Sequence, residues 1–294
     1  MTPPTPDRHS LDERGNEIED HDRGLMFDLQ TLVDRRRALS IFGGLGVAGA
    51  LAACGTGSTP STAGTSSATS ATSATPAATS AATTAGDLVE APDETAGPYP
   101  GDGSNGANVL DDSGIVRSDI RSSFGSSTTT AVGVPLTIKL TVKDLATSSA
   151  LVGAAVYLWH CDRDGRYSPY SQGAEGENYL RGVQPTDDSG TATFTSIFPA
   201  CYPGRWPHIH IEVYEKVAEA TSSGPIVKTS QIALPQADCE TVYATDGYEQ
   251  SVSNLAQVSL QRDNVFGDDG GIHQLATMSG NASAGFTAAL TIGV

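Results

Sequence analysis

Between residues 55 and 86 the chain is almost entirely Ser, Thr, Ala, Gly and Pro, with recurring Ala-Thr-Ser units. Such a stretch has too little apolar surface to offset the entropy of ordering it, so it reads as a disordered, flexible tether and cannot join a core. It confines the folded domain to residues 87–294, enough of the 294-residue chain for one catalytic-sized domain. From Val134 onward, short alternating apolar segments recur between clusters of Gly, Pro, Asp and Ser. That rhythm predicts strands over residues 136–143, 154–161, 191–198, 208–214, 226–233 and 286–293, with turns at Asp164-Gly165, Asp188-Ser189-Gly190 and Pro203-Gly204. Only residues 235–245 and 250–260 suggest short helices. The expected fold is mostly β: an antiparallel β-sandwich with short helices and long loops, preceded by a disordered N-terminal region. There is no repeat of solenoid period and no Gly-rich phosphate loop.

The first 54 residues read as an address. Residues 1–24 are polar and lack apolar periodicity, and Met26 offers an alternative start. Arg35-Arg36-Arg37 then precedes the apolar stretch 41–53, which is shorter than the roughly 20 residues a membrane-spanning helix needs. The paired arginines resemble a twin-arginine signal, although Ala38 stands where a bulky apolar residue is usual, which leaves the general secretory route open. Leu51-Ala52-Ala53-Cys54 resembles a bacterial lipobox, in which the cysteine becomes the acylated first residue. The reading is an exported cell-surface lipoprotein, attached to a membrane only through a lipid on Cys54. A formal net charge of -17 and a pI near 4.5 argue against nucleic acid as a partner and against polybasic membrane attachment.

His208-Ile209-His210 falls within an expected strand, where residues two apart share a face, so both imidazoles project together while Ile209 and Ile211 face the other way. Alone, a His-x-His is a weak sign of metal binding. Upstream, Tyr202-Pro203-Gly204 supplies turn residues that can fold a phenol back over the imidazoles, and Arg205 brings a cation into the same segment. A second phenol, Tyr167, follows the turn Asp164-Gly165-Arg166. Ferric iron is a hard cation that prefers anionic oxygen and accepts imidazole, and a trivalent ion at bonding distance favours phenolate over phenol. A zinc or copper enzyme using the two histidines is a further reading, whereas the absence of a Gly-x-Ser-x-Gly elbow lowers a hydrolase reading.

Taken together these segments resemble the intradiol ring-cleavage dioxygenases, the family of catechol 1,2-dioxygenases and protocatechuate 3,4-dioxygenases. The segment 94–99 (Glu-Thr-Ala-Gly-Pro-Tyr) looks like the family's entry motif, 117–121 like the segment that follows it, and Gly165-Arg166-Tyr167 like its first tyrosine turn. The run from Tyr202 to His210 looks like its most specific signature. The resemblance implies non-haem Fe(III) held by Tyr167, Tyr202, His208 and His210. It also implies Arg205 as a cation beside the substrate and Gln231 as a supporting polar residue, with Tyr202 the ligand that yields to substrate. A structural role for Arg205, satisfying turn carbonyls, stands equally open. The implied reaction inserts both atoms of O2 into a catechol-type aromatic diol and cleaves between the hydroxyl-bearing carbons to a muconate-type diacid. The alternative is a lipid-anchored β-sandwich binding module that has lost catalysis.

The chain lacks the long helical dimerisation segment of cytoplasmic relatives, which leaves a homodimer open. His160 reads as structural, and His273 as solvated. Tyr99, Trp159, Tyr170 and Trp206 are candidates for an aromatic pocket wall. If Tyr167 and Tyr202 meet at the iron, Cys161 and Cys201 lie on converging segments and are the expected disulfide of an oxidising compartment, with Cys201–Cys239 the competitor.

Overall fold

The computed structural model describes residues 88–294, so the leader, the Cys54 lipobox and the tether lie outside the described residues. The described residues contain eight strands: β1 (Pro135–Lys143), β2 (Ala155–Trp159), β3 (Arg181–Pro185), β4 (Thr191–Ile197), β5 (His208–Tyr214), β6 (Ile226–Ala233), β7 (Thr277–Asn281) and β8 (Gly285–Gly293). Three short helices join them, α1 (Val217–Ala220), α2 (Gln236–Tyr243) and α3 (Glu249–Leu255). No described helix is long and apolar enough to cross a membrane.

The strands form two four-stranded sheets, ordered β4-β1-β8-β7 and β3-β2-β5-β6. Every pairing is antiparallel except β1 with β8, which runs parallel from Leu136↔Phe286 to Lys143↔Gly293. Strand β8 reaches β1 only at the chain's far end, so no hairpin turn dictates its direction. All six strands expected from alternation form within a few residues of the expected bounds, and both expected helices form. Strands β3 and β7 were not expected. Arg181-Gly182-Val183-Gln184-Pro185 and Thr277-Met278-Ser279-Gly280-Asn281 carry Gly and Pro or mostly polar residues, the opposite of a strand signal.

The main core lies between the sheets. Leu136, Ile138, Leu140 and Val142 of β1 meet Val156 and Leu158 of β2 and Ile209, Ile211 and Val213 of β5. The opposite face of the second sheet is also covered. Ala155, Tyr157 and Trp159 pack there with Val109, Leu110, Ile115 and Tyr167 in a second cluster. Residues 88–131 are stitched over this region by backbone bonds such as Arg117 N–H to Val183 O (3.0 Å) and Glu94 N–H to Thr229 O (2.8 Å).

The expected disulfide is not formed. Cys161, Cys201 and Cys239 are all free and buried. The thiol of Cys161 turns to the Ala200 carbonyl (3.7 Å) and that of Cys201 to the Arg205 carbonyl (3.5 Å), so each sulfur already serves its own loop.

Candidate metal centre

Strand β5 sets the geometry. Its pairing with β2 and β6 places Trp159 opposite His210 and His210 opposite Gln231, and β2 with β3 places Trp159 opposite Arg181. Cross-strand partners share a face, so Arg181, Trp159, His210 and Gln231 form one row across the whole second sheet. The Trp159 ring stacks on His210 with centroids 4.9 Å apart and planes 7° apart, which fixes the imidazole's tilt. His208 precedes His210 by two residues on the same face, and their rings lie edge to face with Nε2 atoms 3.2 Å apart.

Two loops bring the phenols in. Asp162 accepts the backbone N–H groups of Asp164 and Arg166 (both 2.9 Å), winding the chain after β2 into a tight turn that delivers Tyr167. Gly165 in that turn has φ +83°, and a Cβ there would stand 3.1 Å from the Tyr202 Cβ, so glycine lets the two tyrosine loops approach. The result is convergence on one atom. His208 Nε2 lies 3.4 Å from Tyr167 Oη, 3.2 Å from Tyr202 Oη and 3.2 Å from His210 Nε2. Tyr167, His208 and His210 are buried, whereas Tyr202 is partly exposed.

Protonation states follow from the contacts. His208 Nδ1 lies 2.5 Å from the Trp206 carbonyl, which only accepts, so Nδ1 carries the proton and the Nε2 lone pair faces the cluster. Burial first, then the Arg205 charge, holds His208 well below the ordinary imidazole range. For His210 burial dominates and His208 adds to it. Burial also pushes both phenols up, that of Tyr167 reinforced by Tyr202. The donor set is therefore two neutral imidazoles and two phenols that need a nearby cation before they ionise. His210 Nδ1 is buried without a hydrogen-bond partner. These features fit a hard, highly charged ion held by Tyr167, Tyr202, His208 and His210.

Arg205 is buried beside this cluster, its Nη1 3.4 Å from His208 Nε2. Its Nε donates to Asp263 (3.0 Å) and its Nη2 to Gln231 Oε1 (2.7 Å), while Gln231 Nε2 donates to the Thr95 carbonyl (2.9 Å). Gln231 thus aims the guanidinium and ties it to the 94–99 segment. That segment lies over the centre, since a Cβ on Gly97 would sit 3.3 Å from His210 Cε1. Tyr99 packs 5.1 Å from the Tyr167 ring and 5.2 Å from Tyr170, forming an aromatic wall. The other two expected wall residues lie elsewhere: Trp159 sits behind His210, and Trp206 belongs to the inter-sheet core with Nε1 on the Leu234 carbonyl (2.9 Å). His160 is structural, bonded through Nδ1 to Cys161 O and through Nε2 to Ser196 Oγ (both 2.7 Å).

Two positioning residues escaped the sequence reading. Asp263 is buried and accepts from Arg205, from the Trp206 N–H (2.7 Å) and from the Val265 N–H (2.9 Å). An Asp just before a helical turn is legible as a cap, but its pairing with Arg205 is not. Arg181, also buried, donates to the carbonyls of Ser168 (2.6 Å), Pro100 (2.7 Å) and Tyr99 (2.7 Å), clamping the Tyr99 and Tyr167 segments together. No sequence signal marked it.

Comparison with known proteins agrees with this architecture. Residues 119–213 match a family model described as dioxygenase. An intradiol ring-cleavage dioxygenase from Tetranychus urticae is 25% identical, with 70% of this chain and 94% of that one covered and a TM-score of 0.53. A second dioxygenase structure is 24% identical over 70% of this chain and 94% of its own, with a TM-score of 0.55. The dioxygenase domain of a dioxygenase carbohydrate-binding protein fusion from Streptomyces sp. SirexAA-E is 22% identical over 70% of this chain and 98% of its own, at a TM-score of 0.45. No curated protein matches the chain.

Proposed function

Starting from the intradiol ring-cleavage dioxygenase fold that the chain shares, we propose that it is a non-haem ferric enzyme acting on catechol-type diols. In this reading Tyr167, Tyr202, His208 and His210 hold the ion, and the observation that carries it is the approach of the other three side chains to within 3.4 Å of His208 Nε2. Ferric iron there would supply Lewis acidity toward both oxygens of an ionised diol and withdraw electron density from its ring. The net reaction adds both atoms of O2, breaks the bond between the hydroxyl-bearing carbons and yields a muconate-type diacid.

The protein's own groups divide the remaining work. Tyr202 is the more exposed phenol and sits on a turn rather than in the buried loop of Tyr167, so its Oη is the atom that gives way and takes a proton from the entering diol. Arg205, locked by Asp263 and Gln231, holds a fixed, buried positive charge 3.4 Å from His208, where it stabilises negative charge developing on the substrate. Tyr99 and Tyr170 offer aromatic surface for the ring. The leader reading adds that the mature enzyme is exported and lipid-anchored through Cys54, so Cys54→Ala should abolish incorporation of labelled fatty acid.

The test is spectroscopic and chemical. Iron-loaded protein should show a broad visible absorption from phenolate-to-iron charge transfer, and mass analysis should show a diacid carrying two oxygens from O2. Tyr167→Phe with Tyr202→Phe should bleach the colour and stop oxygen uptake with catechol. A colour that survives the double substitution would exclude the assignment.

A further inference from the structure

A second group of polar side chains borders the metal centre, and one of its buried atoms lacks a partner. Glu94 is half-buried in the segment whose Gly97 overlies His210. Asp268 and Asp269 follow Phe266, whose ring lies 6.5 Å from that of His208. These two segments bring three carboxyl groups to one side of the metal centre. The neighbouring cation offsets them only in part, since Arg205 shares its charge with Asp263 (3.0 Å). Burial, then Asp268, pushes the Glu94 carboxyl up to about 7, the state of an acid short of a counter-charge.

Gln274 completes the group. It is 1% exposed, and its Nε2 lies 3.4 Å from both Glu94 Oε1 and Ser230 Oγ. Ser230 donates its own proton to the Pro92 carbonyl (2.8 Å), so toward Gln274 it can only accept, and this fixes which end of the amide is Nε2. Gln274 Oε1 is thereby left as a buried acceptor with no donor, beside Glu94. Carboxylates plus an unused carbonyl oxygen ask for a ligand that brings donors and positive charge. An alkylammonium group supplies both.

We propose that Glu94, Asp268, Asp269 and Gln274 form a subsite for an ammonium-bearing substituent of the catechol, so that the site favours cationic catechols, then neutral ones, over carboxylated ones. The inference rests on the ring-cleavage reading and names its substrate class. A carboxylate carried to this side would face three like charges and an acceptor oxygen, whereas an aminoalkyl chain would satisfy both Glu94 and Gln274 Oε1.

Anaerobic calorimetric titration of the iron-loaded full chain with 4-(2-aminoethyl)catechol, catechol and 3,4-dihydroxybenzoate tests this. Wild type should bind the aminoethyl compound at least about tenfold more tightly than the carboxylate, the size of effect one uncompensated charge contact gives in a partly buried site. Glu94→Gln should narrow that ratio at least threefold, and Asp268→Asn with Asp269→Asn, at exposed and half-exposed positions, should narrow it in the same direction. A wild-type ratio near one, or a ratio unmoved in both variants, overturns the subsite. So does calcium alone binding to wild type and not to Glu94→Gln, which would make the group a metal site. The expected affinity order without oxygen uptake in air would sink the ring-cleavage reading and leave the subsite. Oxygen uptake with a flat charge order would do the reverse.

Discussion

The two sheets are built from strands of similar length, yet they are buried in opposite ways. Strand β1 alternates along its length, with Leu136, Ile138, Leu140 and Val142 buried and Lys139 exposed between them. Strand β5 is buried at every position from His208 to Tyr214. One sheet therefore has a dry face and a wet face, while the other has two dry faces, the second made by loops that fold over it. The difference explains where chemistry can sit. Imidazoles and a guanidinium on the wet face of β1 would be solvated and interchangeable. On the outer face of β5 they are desolvated, fixed and forced to find partners, and that is where the four donor side chains meet.

The largest expected effect breaks this contrast at its most buried charge. Asp263→Ala would leave Arg205 enclosed with Gln231 as its one remaining strong partner, and would also release the Trp206 and Val265 N–H groups. Removing one partner of a buried ion pair costs about 3–5 kcal/mol, so urea unfolding should show a loss of that size. Asp187→Ala, at an exposed position in the turn leading into β4, should cost far less even though Asp187 also accepts several hydrogen bonds. Equal losses at the two sites would mean that the second sheet's outer face is wetter than its burial indicates.

Acid should separate the sheets next. His208 and His210 are held well below the ordinary 6.5 by burial, and His160 is held down at about 4. Below pH 6.5 the unfolded chain binds protons on these residues that the fold does not. Their stabilisation is therefore present above that pH and lost as pH falls toward the folded values, at up to about 1.4 kcal/mol per pH unit for each imidazole. Glu212, raised to about 7 by burial, works the other way: its contribution is present below about 4.5 and lost as pH rises through 7. Glu94 acts in the same sense as Glu212 but is less buried. Three imidazoles outweigh two carboxyls, so metal-free protein should lose on the order of 1 kcal/mol per pH unit between pH 6.5 and 4.5, with the slope steepening toward the acid end. Glu212→Gln should steepen the fall. A stability flat across that window would show that the imidazoles are open to protons.

The same contrast accounts for what could be read before the coordinates. Alternation is a one-sided signal, so β1, β4 and β8 were legible, and β5 was legible because its two histidines break an Ile-Ile-Val run at period two. Strand β3 was invisible because Arg181 and Gly182 are chosen for the loops above them. Arg181 clamps three carbonyls, and a Cβ at Gly182 would come within 2.5 Å of Ile120. The donor residues stood out through local spacing. Their supports, Asp263 and Arg181, did not, because the contacts that tie them to the site, Asp263 with Arg205 and Arg181 with Pro100, span more than 50 residues of sequence. The disulfide expectation failed on direction: converging segments do not fix where thiols point, and Cys161 and Cys201 turn to separate carbonyls.

The smallest effect sharpens the comparison from the wet side. On the outer face of the first sheet Lys139 lies opposite Thr193 in β4 and Ala289 in β8, flanked by Thr137 and Thr141, without a described salt bridge. Lys139→Thr keeps the β-branched character of its neighbours and removes one solvated charge from a chain with a net excess of acid. Unfolding free energy should change by less than about 0.5 kcal/mol, with the visible absorption of iron-loaded protein untouched. A loss above about 1 kcal/mol would require Lys139 to have a partner in solution, and that face would then be covered by something other than water.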